Sequence, residues 1–188
     1  MSKQNYFSVL EKLSELSYSS VSLSLSATPK KEIKELSELR KSSYLLLYSL
    51  EYSLFSDFLP PLERDGIAAY AHSITRIIDT ANEHALLKRS SHCLRRTEEE
   101  QICIELAYII KESTPILKEL KKPGKFPNIR KFRELLHKGH MAHVKEMSSA
   151  IALSPSSSAF QLSMSAGKLR SEISLCFDRL LEVMLDNI

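Results

Sequence analysis

Residues 56–83 read SDFLPPLERDGIAAYAHSITRIIDTANE, and their order decides the fold. Pro60-Pro61 end one long helix, since proline removes a main-chain donor and its ring blocks the preceding turn. Glu63-Arg64-Asp65 then open a second helix with a charged turn. From there Ile67, Tyr70, Ile74, Ile77, Ile78 and Ala81 fall three and four apart, which gathers them on one side of a helix. Such a stripe needs other helices to cover it. The stretch ends in two carboxylates, Asp79 and Glu83.

The same periodicity recurs on both sides of this junction, six times in all. Tyr6, Val9, Leu10, Leu13 and Leu16 mark the first face, and Ile33, Leu36, Leu47, Leu50, Leu54 and Phe58 the second. Ile102, Leu106, Ile109, Ile110, Leu117 and Leu120 form the fourth. Ile129, Phe132, Leu136, Val144, Met147 and Ile151 form the fifth, and Leu169, Ile173, Cys176, Phe177, Leu180 and Met184 the sixth. The boundaries agree. Thr28-Pro29 is a cap followed by a first-turn proline, and Thr97 with Glu100 matches a capping box. Lys122-Pro123-Gly124 stops the fourth helix, Pro127-Asn128 begins the fifth, and Ser154-Pro155-Ser156 separates the fifth from the sixth. Pro115 lies inside the fourth run and predicts a kink or break there. Val21-Ser22-Leu23-Ser24-Leu25-Ser26 alternates like a strand, but no second strand candidate exists, so it reads as a frayed continuation of the first helix. The expectation is an all-α protein of about six helices, packed as two three-helix bundles. Residues 1–188 read as a single domain, with sub-bundles at about 1–90 and 95–188.

Composition fits that reading and narrows the function. The chain has 188 residues, long enough for a sizeable core, with only four Gly and seven Pro. A net charge of +3 is too small to argue for nucleic acid, and no specific nucleic-acid partner is expected. Cys93, Cys103 and Cys176 are odd in number and form no CxxC pair, which fits buried thiols in a reducing compartment. No signal peptide is visible. The most apolar run, YLLLYSLEYSLF from Tyr44, falls short of the roughly 18–20 residues a spanning helix needs and reads as a buried helix. A cytoplasmic location follows. No GxSxG elbow, phosphate-cradling glycine loop or dinucleotide fingerprint occurs, so an enzyme is not expected.

The junction, with Phe58, Pro61, Glu63, Arg64 and Ile67, resembles that of the PhoU-like phosphate transport regulators. In that family the flanking helices carry pairs of metal-binding carboxylates four residues apart, on one helix face. Laid on this junction, the second-helix pair falls at Arg40 and Tyr44 and the third-helix pair at Thr75 and Asp79. Only Asp79 keeps an acid. A fifth-helix pair falls near His140 and Val144 and is also lost. The resemblance implies a non-catalytic cytoplasmic accessory of phosphate uptake that docks on a membrane phosphate transporter, in peripheral contact with the inner face of the membrane. Family-like bundles can dimerise, so a homodimer is a further expectation. The resemblance leaves cofactors open: a divalent metal, iron or none. The alternatives are a metal-binding helical protein and a helical adaptor with an unrelated partner.

Four groups of side chains are candidates for a site. Asp79 and Glu83 have the spacing of a metal pair, with His72 two turns before Asp79; the bland alternative is an exposed edge in which Thr80, Asn82, Glu83 and His84 are solvated. His137, His140 and His143 repeat every third residue, which fans them about 120° around the helix, and the i, i+4 spacing of helical metal pairs is absent. Residues 118–133, KELKKPGKFPNIRKFR, hold Lys118, Lys121, Lys122, Lys125, Arg130, Lys131 and Arg133 against a single Glu. Residues 88–96, KRSSHCLRR, form a second basic patch. Concentrated positive charge of this kind meets phosphate or an anionic leaflet. An ordinary solvated loop at a helix C-terminus carries the same lysines.

Overall fold

A computed structural model describes residues 6–25, 31–56, 63–91, 97–119, 127–153 and 157–186. They form six α-helices: α1 Tyr6–Ser24, α2 Lys31–Ser56, α3 Arg64–Ser90, α4 Glu98–Ser113, α5 Ile129–Leu153 and α6 Ser158–Leu185. No strand occurs among the described residues. The alternating serines of the first helix do not leave it, since α1 runs helical through Ser24. Pro115 ends α4. The chain tightens into a 3-10 turn over Thr114–Glu119 instead of continuing the helix. At the start of α4 the Thr97 hydroxyl accepts the Glu100 N–H, while the Glu100 carboxylate accepts the Thr97 N–H at 3.0 Å. Ser157 caps α6, and Asn128 accepts the Lys131 N–H at the head of α5. The Thr28-Pro29, Pro60-Pro61, Lys122-Pro123-Gly124 and Ser154-Pro155-Ser156 breaks lie outside the described residues.

Helices α1, α2 and α3 pack on one another, and so do α4, α5 and α6. The two triplets meet mainly where α3 lies along α6, with α1 against α4 as a second seam. α3 and α6 run antiparallel: Gly66 lies beside Val183, Arg76 pairs with Glu172, Glu83 with Lys168, and His84 meets Ser165. One contiguous apolar core draws on all six helices, including Leu10, Leu50, Ile74, Leu106, Phe132 and Phe177. Phe132 and Phe177 stack with ring centroids 3.8 Å apart. Along α1 the side chains of Ser14, Ser17, Ser20 and Ser24 are all buried, a run of small groups that lets neighbouring helices approach closely. Cys103 and Cys176 are buried free thiols; burial raises both, Cys176 to about 12, which leaves them unreactive. Cys93 lies outside the described residues.

Three expectations from periodicity need correction. On α5 the inward face is Phe132, Leu135, Gly139, Ala142 and Ala150, whereas Ile129, Val144 and Ile151 are exposed. Phe132 keeps its place and Leu136 packs against the core, but small residues carry the rest of that face, so a search for large apolar side chains misplaced the later part of the stripe. On α2 the run from Tyr44 is buried on one side only: Leu47, Leu50 and Leu54 face the core, while Leu45, Tyr48, Tyr52 and Phe55 face outward. On α3 the supposed solvated edge is half wrong, since Thr80 and His84 are buried.

Candidate functional site

Arg40, Tyr44 and Asp79 meet, as the sequence register places them. The Arg40 Nε donates to Asp79 Oδ1 at 2.7 Å and the Tyr44 hydroxyl donates to Oδ2 at 2.7 Å. The guanidinium also lies 5.8 Å from the Tyr44 ring centre. Both carboxylate oxygens are therefore taken, one by a permanent cation. Arg40 is held above its ordinary value by the Tyr44 hydrogen bond and by the Asp79 charge. Tyr44 is raised by its hydrogen bond to Asp79 and by burial, which keeps the phenol a donor. Thr75, the fourth position of this set, is buried and donates to the Ala71 carbonyl of its own helix.

Glu83 does not join Asp79. It pairs with Lys168 of α6 at 2.7 Å, and His72 pairs with Glu51 of α2 at 2.8 Å. The two carboxylates of the candidate metal pair are thus engaged by different helices. The fit to a metal centre is poor: three of the four family positions are Arg, Tyr and Thr, and the one acid already holds a guanidinium. A divalent ion at that carboxylate would sit against a fixed positive charge. Among the described residues no group of three or more His, Cys, Asp or Glu side chains is placed to hold a metal ion.

The second bundle holds a larger charge cluster that periodicity did not reveal. Glu99 is fully buried; its Oε1 accepts from Arg170 Nε at 3.0 Å and its Oε2 lies 2.9 Å from His143 Nδ1. Glu100 sits beside it with Oε2 2.8 Å from the Lys88 ammonium and Oε1 2.9 Å from His84 Nε2. The other His84 nitrogen lies 3.1 Å from the Ser165 hydroxyl. Both His84 ring nitrogens therefore have hydrogen-bond partners. Burial pushes Glu100 up, but the hydrogen bonds from His84 and Lys88 outweigh it and hold the carboxylate below its ordinary range. Glu146 faces the same cluster and is raised, first by burial and then by the Glu99 charge.

Two glycines make room for this cluster. A Cβ on Gly167 would lie 2.6 Å from His143 Cε1, and one on Gly139 would lie 2.8 Å from Arg170 Cδ and 3.2 Å from Ile102. The sequence register for α5 is shifted accordingly. His140 and Val144 are exposed, and the residues that look inward beside Gly139 are His143 and Glu146. His137 is exposed as well, so the three histidines do not converge. Lys88 also leaves the second basic patch, because it is buried against Glu100. Continuing the α3 stripe beyond Ile77 and Ala81 by three and four residues gives His84, Ala85 and Lys88. That extension was the available signal for the cluster.

Of the longer basic segment, Lys118 pairs with Glu11, Arg130 with Glu134 and Arg133 with Asp178. Lys131 is exposed on the first turn of α5. Lys121, Lys122 and Lys125 lie outside the described residues, as do Arg95 and Arg96 of the shorter patch.

Solved structures share this arrangement from end to end. One, from Shewanella oneidensis MR-1 and described as a PhoU-like phosphate regulatory protein, is 16% identical, with a TM-score of 0.67 over 98% of this chain and 100% of its own. The fold is PhoU-like. A second PhoU-like protein from the same organism is 15% identical, with a TM-score of 0.68 over 97% of each chain. No family model matches the sequence, and no curated protein matches it. The PhoU-like fold is thus shared at a sequence identity of only 15–16%. Among the described residues no helix is long and apolar enough to cross a membrane.

Proposed function

We propose that this protein is a non-catalytic regulator of phosphate uptake that acts by docking to a membrane phosphate transporter from the cytoplasmic side. The observation that carries the reading is the end-to-end PhoU-like fold, shared over 98% of the chain with a protein described as a phosphate regulatory protein. The charge clusters suit a scaffold better than a catalyst. Glu99, Glu100 and Asp79 each have both oxygens engaged, so none of these three carboxylates is poised to take a proton from a substrate. Contact with the membrane would fall to the basic segment around Lys121, Lys122 and Lys125, facing anionic lipid or phosphate. The test is affinity capture from membranes of phosphate-starved cells. The transporter should co-purify with the wild-type chain and less with a triple Lys→Glu variant at these positions, the difference shrinking as salt rises. Capture of other membrane proteins without any phosphate carrier would point to the adaptor reading and sink this one.

In the same reading, Arg40 takes the place of the family's cation, so the scaffold holds its shape without metal. Elemental analysis of untagged protein is expected to show no stoichiometric iron, zinc, manganese or magnesium, and chelator should leave the melting temperature unchanged. The metal-binding alternative predicts bound metal that is lost on Asp79→Ala.

A further inference from the structure

We draw no further inference here: the strongest candidate, the outward stripe of Leu45, Tyr48, Tyr52 and Phe55 on α2, carries nothing, because the charges beside it are already paired within the chain (Lys41 with Glu38, Arg40 with Asp79, Glu51 with His72) and nothing in the structure shows what covers it.

Discussion

Lys88→Met is expected to cost about 3–5 kcal/mol at neutral pH, the usual penalty for removing one member of a buried ion pair. Lys88 and Glu100 are 2.8 Å apart, and both side chains are almost wholly out of water. Without the ammonium, Glu100 keeps only His84 and the Thr97 N–H, while burial continues to oppose its charge. The pH dependence carries the sign. In the wild type Glu100 is held below the ordinary value of 4.5, so the unfolded chain takes up that proton more readily than the folded one. The pair's contribution is fully present above 4.5 and is lost as pH falls below it, through the lower native value. The variant keeps the His84 hydrogen bond but lacks the Lys88 hydrogen bond and charge that help hold Glu100 down, so acid relieves its buried charge. The stability gap should therefore be widest near neutrality and shrink as pH falls below 4.5. Urea unfolding of both proteins across that range checks this. A gap that stays constant with pH would mean the loss comes from packing alone.

Gly167→Ala is expected to destabilise by about 1–3 kcal/mol. A helix normally gains from this exchange, by roughly 1 kcal/mol. Here the new carbon would enter the space of the His143 ring, within 2.6 to 3.1 Å of three of its atoms. The imidazole must then leave Glu99, whose buried Oε2 loses its partner. The double variant Gly167→Ala/His143→Ala separates the two effects. Removing the ring removes the clash, so Gly167→Ala should cost much less in the His143→Ala background than alone. Equal costs in both backgrounds would locate the damage elsewhere on α6.

The helices themselves were legible because the signals that make them are local. Thr97 and Glu100 are three residues apart, and their reciprocal hydrogen bonds need nothing but the turn between them. Pro115 acts on the carbonyl one turn before it, and α4 ends there whatever packs around it. The register at the junction was legible too: an alignment through Phe58, Pro61 and Glu63 put Arg40, Tyr44 and Asp79 at equivalent depths, and they meet. Faces built from small residues were not legible. Gly139, Ala142 and Ala150 cover the core side of α5 by fitting closely, and a hydrophobicity stripe does not register closeness.

Sequence by itself determined six amphipathic helices, the capping box that opens α4 and the proline that ends it. Only the tertiary structure decided which charges are spent on one another. Glu99 draws Arg170 from 71 residues away and His143 from 44, and a single pair of glycines makes room for both. A helix boundary is set by its neighbours along the chain. A buried ion pair is set by whichever helix happens to lie opposite, and that depends on every helix packing at once.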